Sequence, residues 1–239
     1  MLLCRWKFWY ESGMSLLVSD LLDLSQTDHP AVFKGYKHPW EALPGIGGYL
    51  QKHLKPNILG KVSPHAVIEG AVFIDEGAVV EPHVYIQGPA WIGKDCQVRH
   101  GAYLRGNIIA GNRCVLGNSC EFKNCILFNE ARAPHFAYVG DSILGYQSHL
   151  GAGVTLSNLK VTEGNVEIMM DGKKMDTGLR KFGAVLGDHA EAGCHCVLNP
   201  GSILGRHAIL YPGVSWRGVC PADTMVKLNQ ERTHVARRR

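Results

Sequence analysis

Residues Val62 to Val98 read VSPHAV-IEGAVF-IDEGAV-VEPHVY-IQGPAW-IGKDCQ-V, with Val or Ile at every sixth position. The period continues through Leu104, Ala110, Leu116, Phe122 and Phe128, so twelve successive positions from Val62 are apolar, nine of them Val, Ile or Leu. Four residues after each stands a second series: Ala66, Val72, Ala78, Val84, Ala90, Cys96, Ala102, Ile108, Cys114, Cys120 and Ile126. A later run repeats the pattern at Leu186, Ala192, Leu198, Leu204, Leu210 and Trp216, with Ala190, Cys196, Ser202, Ala208 and Val214 between. A helix repeats every 3.6 residues and a strand every two, so neither yields strict sixes. A triangular coil does. Each hexad gives a short strand and a corner, and three hexads close a turn of about 18 residues. The large aliphatic fills the interior, and the small residue lets the chain pass close to its neighbour. The fold expected is an all-β solenoid, a parallel β-helix of hexapeptide repeats.

The rest of the chain is arranged around this coil. Residues 1–56 form an N-terminal extension, in which Ser15 to Leu24 (SLLVSDLLDL) reads as an amphipathic helix. That region is expected to act as a helical cap over the coil's open end, because an uncapped solenoid exposes a sheet edge. The coil occupies residues 57–220, and 221–239 form a basic tail ending in Arg237, Arg238 and Arg239. Glycine is abundant, 28 of 239 residues, as frequent corners require. The net charge of +4 is too mild to indicate nucleic acid. No apolar run approaches the ~18 residues of a membrane span. Met1 to Gly13 lacks the features of a signal peptide, and Met14 offers an alternative start. The eight cysteines form no CxxC pair, and a reduced, cytoplasmic protein is expected. Cys96, Cys114, Cys120 and Cys196 fall in the small inward slot, while Cys4, Cys125, Cys194 and Cys220 lie outside that series.

Function in a regular solenoid is expected where regularity fails. One break lies between Phe128 and Val139, where the phase slips across Pro134-His135-Phe136-Ala137-Tyr138 before resuming at Leu144, Leu150 and Leu156. The second is an insertion over 158–180, with Asp171-Gly172 as a hairpin signal and a protruding loop as the expected outcome. Residues 18 apart stack in adjacent coils, which sets Lys123 on Arg105 at one corner, with Lys181 at the same place in its own run. Two stacked cations repel unless an anion lies between them. A solvated charged face and a phosphate or carboxylate clamp are both open to such a column. The column reads Glu69, Gln87, Arg105, Lys123, so positive charge begins only near His135.

The segment His135-Phe-Ala-Tyr-Val-Gly-Asp141 resembles the His-Leu-Thr-Tyr-Leu-Gly-Asp stretch in the acetyltransferase domain of the bifunctional UDP-N-acetylglucosamine pyrophosphorylase/glucosamine-1-phosphate acetyltransferase family. The similarity runs from about Arg105 to Asn158 and resumes from Lys181-Phe182 to about Gly213. The resemblance implies a left-handed coil, a homotrimer and acetyl-CoA as co-substrate, with no metal required. It implies His135 as catalytic base and Ala152 as the backbone N–H donor to the oxyanion. Arg105, Lys123 and Lys181 would bind the sugar phosphate, Tyr138 and Asn158 would contact the sugar, and Ala152 and Cys194 would line the donor site. His149 stands where the family has Asn, Cys194 where it has Ser, and Leu159 where it has an aromatic residue. His149 is grouped with the acceptor-binding residues, with orientation of His135 as its other reading. About 50 residues precede the coil, so the nucleotidyltransferase domain of that family, and with it uridylyl transfer, is not expected.

The function expected is N-acetylation of an amino sugar 1-phosphate such as glucosamine-1-phosphate. Three other readings compete. A carbonic anhydrase of the γ type uses a His-x4-His zinc pair, which this sequence lacks. A non-catalytic trimer that binds sugar nucleotides is the second. Acyl transfer from an acyl carrier protein is the third.

Overall fold

The hexads fold as their period demands. Each contributes a strand of two to four residues, and the chain turns at the following corner. In the computed structural model, which describes residues 15–170, 172–230, 233 and 235–237, these strands stack into three parallel sheets. Residues 1–14 with Cys4, Asp171, and Arg238 and Arg239 lie outside the described residues.

The first face has nine strands, running from Asn57–Ile58 through Ile108–Ala110, Cys125–Leu127 and Ile143–Leu144 to Val219–Cys220. The second also has nine, from Lys61–Val62 through Val115–Asn118, Arg132–His135 and His149–Leu150 to Met225–Val226. The third has eight, from Val67–Glu69 through Tyr103–Arg105, Glu121–Lys123, Tyr138–Gly140 and Thr155–Leu156 to Ser215–Trp216. The coil therefore extends to Val226, past the boundary expected at residue 220.

The interior is the column of large aliphatics that the period marks. Ile86, Leu104, Leu116, Phe122, Leu198 and Leu204 are fully buried in one continuous core. Replacing one such Leu by Ala costs about 2–5 kcal/mol. The small slot holds cysteines whose thiols donate to backbone carbonyls, Cys96 to Gly111 at 2.9 Å and Cys114 to Phe128 at 3.0 Å. Cys125 and Cys220 also belong to this interior, and burial pushes the Cys220 thiol up to about 11.

The phase slips twice, at Asn124 before the stretch the sequence marks and at Asp141 after it. Arg105 and Ile108 end and begin strands with two residues between them, whereas Lys123 and Cys125 have only Asn124 between. Cys125 then registers with Ile108, seventeen residues back, and Ile143 registers with Ile126 by the same interval. The interior residues are accordingly Cys125 and Leu127, not Ile126 and Phe128. Asn124 (φ 48°) and Asp141 (φ 44°) make these two tight corners in the left-handed region, where Asn and Asp are the non-glycine residues most at home.

The described part of the N-terminal region, residues 15–56, covers a flank of the coil and not its end. Ser15 to Leu24 forms only one helical turn, Val18–Leu21, because tertiary hydrogen bonds take over its backbone. The Asp23 N–H donates to Asp188 Oδ2 at 2.7 Å, and the Asp188 N–H donates to the Leu21 carbonyl at 3.0 Å. A 3-10 helix at Pro39–Gly45 and an α-helix at Ile46–His53 follow. Trp40, Phe33, Leu43 and Leu50 bury against Ile109, Ile126, Phe128, Ile143, Val185 and Ile203, the outward residues of the first face. Among the described residues nothing covers the N-terminal end of the coil, where Ile58 and Leu59 are about half exposed.

The insertion contains the expected hairpin, Glu167–Met170 paired antiparallel with Lys173–Asp176. It does not protrude. Val166 and Ile168 are buried in the same flank core as Trp40, and the hairpin rests beside Gly201, where any Cβ would meet the Glu167 carbonyl at 2.9 Å. The N-terminal segment and the hairpin thus both cover the first face, and among the described residues nothing covers the second and third.

Candidate functional site

The stacking of Arg105 and Lys123 follows from the coil, since Phe122 registers with Leu104 on the third face. Neither cation stands alone. Arg105 Nη1 lies 2.5 Å from Glu121 Oε1, and Lys123 Nζ lies 3.0 Å from Asp141 Oδ2. The two pairs differ in kind. The first is solvent-exposed and exchangeable. Asp141 is only 5% exposed and also accepts Asn124 Nδ2 at 2.9 Å and Asn158 Nδ2 at 2.5 Å. Its four-way anchorage includes its own N–H, which donates to the Lys123 carbonyl at 2.9 Å.

Tyr138 is half-buried in the next coil, with Glu121 as its backbone neighbour. Burial raises its pKa, and Glu121 and Asp141 raise it further. Its hydroxyl and the Asn158 amide close over Gly140, where a Cβ would meet the Tyr138 hydroxyl at 2.5 Å and Asn158 Nδ2 at 2.7 Å. Lys181 is exposed at the neck of the insertion, in an antiparallel bridge with Leu159. The next residues tie that neck to the cluster: the Phe182 N–H donates to the Asn158 carbonyl and the Gly183 N–H to the Asp141 carbonyl, both at 2.9 Å. The structure therefore gathers Arg105, Lys123, Tyr138 and Asn158 on one face, with Lys181 beside them through its backbone.

His135 ends its second-face strand at the corner that leads into Tyr138–Gly140. Its ring is exposed, beside Phe136, which is 62% exposed with φ 52°. Gly117 underlies this corner. Its Cα carries no side chain because a Cβ there would collide with the Pro134 backbone. The next two coils stack on His135. The Gly153 N–H donates to the His135 carbonyl at 3.1 Å, and the His195 N–H to the Ala152 carbonyl at 2.8 Å. His135, Ala152 and Cys194 so form one column along the edge between the second and third faces. The Ala152 N–H has no hydrogen-bond partner among the described residues, and Cys194 is exposed.

His149 lies apart from the third-face cluster. It sits half-buried on the second face between its backbone neighbours Arg132 and Glu191. Burial lowers its pKa; Glu191 opposes that, while Arg132 and His135 add to it. Among the described residues no group of three His, Cys, Asp or Glu side chains is arranged to hold a metal ion. No helix among them is long and apolar enough to cross a membrane.

Asp141, Glu121 and Asn124 organise the cluster, yet the spacing of cations alone did not single them out. Asp141 was visible as the last residue of the His135–Asp141 segment. Glu121 was visible only once Tyr138 was known to be seventeen residues on in the same column.

Comparison with known proteins agrees with this architecture. Residues 86–221 match the family model described as the GMPPB C-terminal domain. The chain is 33% identical over 205 residues to the bifunctional sugar-1-phosphate nucleotidylyltransferase/acetyltransferase of Sulfurisphaera tokodaii, covering 83% of this chain and 51% of that protein. It is 39% identical over 186 residues to the bifunctional protein GlmU of Methanococcus maripaludis, covering 76% of this chain and 45% of that one. The chain thus spans about half the length of these two relatives. The acetyltransferase YaiX of Escherichia coli, itself described as uncharacterized, is 33% identical over 233 residues, covering 90% of this chain and 96% of YaiX. On these matches the chain belongs to the GMPPB C-terminal domain family of hexapeptide-repeat proteins and resembles the acetyltransferase domain of the GlmU proteins.

Proposed function

We propose that the protein transfers the acetyl group of acetyl-CoA to the amine of an amino sugar 1-phosphate, glucosamine-1-phosphate being the leading acceptor, as a cytoplasmic homotrimer. The observation that carries this reading is the continuity of His135 with the third-face cluster. Two residues separate the histidine from Tyr138, and the cluster's two cations lie on the two coils before it.

The acceptor phosphate exchanges with Glu121 for the Arg105 guanidinium, whose planar fork matches two phosphate oxygens. Lys123, held by Asp141, and Lys181 supply further positive charge. Tyr138 and Asn158 meet the sugar hydroxyls. With the phosphate fixed, the amine is held near the edge column. It attacks the thioester carbonyl carbon, and His135 takes a proton as the C–N bond forms. The developing oxyanion accepts a hydrogen bond from the unpartnered Ala152 N–H. The C–S bond then breaks, and the proton on His135 goes to the departing thiolate. The products are the acetamido sugar phosphate and free CoA thiol. Cys194, on the coil after Ala152, lies along the course the donor would take. The buried, unpaired thiols of the interior suit a reducing compartment.

The test is release of free thiol from acetyl-CoA against glucosamine-1-phosphate, other amino sugar 1-phosphates and their unphosphorylated forms. Turnover is expected with a phosphorylated amino sugar and is much weaker without the phosphate. Absence of turnover with every phosphorylated amino sugar contradicts the proposal.

A further inference from the structure

The open second face carries a groove of about 560 Å³ that acyl transfer at the third-face cluster does not use. It is lined by Asp95, Gln97, Arg99, Arg113, Arg132 and His149. The three arginines come from three consecutive coils. Gln97, Val115 and Arg132 share one backbone column, so the lining spans two coil steps, about 9.6 Å at the usual strand spacing.

The arginines are not equivalent. Arg113 is committed within the chain, with Nη2 2.7 Å and Nε 3.1 Å from Glu130 Oε1. Arg99 donates from Nη2 at 2.8 Å and Nε at 3.2 Å to Gln97 Oε1, a neutral acceptor that leaves its charge uncompensated. Arg132 is exposed and makes no salt bridge among the described residues. Against these stand Asp95 in the lining, Glu191 beside His149, and Glu130, which lies near Arg132 but accepts its hydrogen bonds from Arg113 and Gln147. Two guanidinium forks therefore keep their charge two coils apart along one groove. A single phosphate satisfies one fork; two linked phosphates satisfy both, each bidentately.

We propose that this groove is a binding site for a diphosphate group, the diphosphate of a nucleotide-type ligand, separate from the third-face cluster. Its volume is that of a small-molecule site. Arg99 and Arg132 take the two phosphates, and His149 adds a ring N–H at the groove wall. The assignment does not depend on which acceptor the third face binds.

The experiment is calorimetric titration of the full chain with inorganic pyrophosphate, with orthophosphate as control and UDP and CoA as competitors. Saturable pyrophosphate binding is expected, at least tenfold tighter than orthophosphate. Arg99→Ala and Arg132→Ala should each weaken it at least tenfold with unchanged circular dichroism, and Arg105→Ala should leave it within twofold. Displacement by UDP identifies a nucleotide sugar as the source of the diphosphate; displacement by CoA alone would make the groove part of the acyl donor's own site. The proposal is overturned by absence of saturable binding, by equal affinity for orthophosphate, by loss of binding in Arg105→Ala and not in Arg132→Ala, by displacement with CoA and not UDP, or by displacement with neither competitor.

Discussion

Replacing Ala152 by Pro removes one N–H from the edge column while keeping the backbone the corner needs. Gly151-Ala152-Gly153-Val154 is a β-turn closed by the Val154 N–H on the Gly151 carbonyl at 3.4 Å, with Gly153 at φ 74°. A positive φ at the third position is the mark of a type II turn, which favours Pro at the second. The coil itself demonstrates the fit. Pro212 holds the corresponding place at the same edge, with Gly213 at φ 78° and the Val214 N–H on the Tyr211 carbonyl at 3.3 Å. Pro82 does so before His83, at φ 62°. No intrachain hydrogen bond is lost, because the Ala152 N–H has no partner among the described residues. Stability should therefore change by no more than about 1 kcal/mol, the range of proline substitutions at compatible sites. Activity should fall about 10²–10³-fold in kcat if this N–H stabilises the oxyanion, the usual effect of deleting one such donor. Thiol-release kinetics beside urea unfolding measure both, and Ala152→Gly, which keeps the N–H, serves as the control. A folded Ala152→Pro variant with kcat within threefold of the parent would refute the role assigned to this N–H. An unfolded one would refute the equivalence of the corners.

Other expectations follow from particular contacts. Asp141→Ala strips the partner from Lys123, Asn124 and Asn158; breaking a buried ion pair costs about 3–5 kcal/mol, and the partial exposure of Lys123 reduces this to about 2–4 kcal/mol, read from the urea midpoint at unchanged slope. The same variant should raise the KM for the phosphorylated acceptor. Gly117→Ala drives a methyl into the Pro134 backbone below His135, so it should lose activity and about 1–3 kcal/mol of stability, measured together. His29 is buried in the flank, with Nδ1 3.1 Å from the Tyr49 hydroxyl and a ring 4.6 Å from that of Trp91, and burial holds its pKa down at about 4. Its folded pKa lies below the unfolded value of about 6.5. Its contribution is therefore fully present above pH 6.5 and is lost as the pH falls through that window toward 4, by about 3 kcal/mol. Urea midpoints at pH 7 and pH 4 should diverge far more for the parent than for His29→Gln; equal divergence contradicts the assignment.

The coil was legible because its interior repeats in sixes on all three faces. The position of the slip was not, and the reason is physical. On the first face the outward residues are as apolar as the inward ones, since Ile109, Ile126, Phe128, Ile143 and Val185 pack against the N-terminal segment. A strand buried on both sides has no alternation to fix its phase. The step of six from Phe122 thus lands on Phe128, a flank residue, when the interior residue is Leu127. The short helix at Val18–Leu21 was overread for a related reason: SLLVSDLLDL is amphipathic, but Asp23 and Leu21 spend their backbone groups on Asp188. At the site, 18-residue spacing brought out Arg105 and Lys123. Their carboxylate partners lie at intervals of 16 and 18, and only a known register tells a carboxylate beside a cation from one on another face. His149 could not be ranked from sequence because its surroundings, Arg132 and Glu191, are set by a 17-residue coil followed by the insertion.

The most direct test of acyl transfer at this edge is the steady-state rate of His135→Ala with acetyl-CoA and the best phosphorylated acceptor. The ring is exposed, so the variant should keep the parent's unfolding midpoint while kcat falls about 10²–10⁴-fold, the contribution of a general base. A folded variant that retains more than a tenth of the parent's kcat would contradict the assignment of His135 as the base.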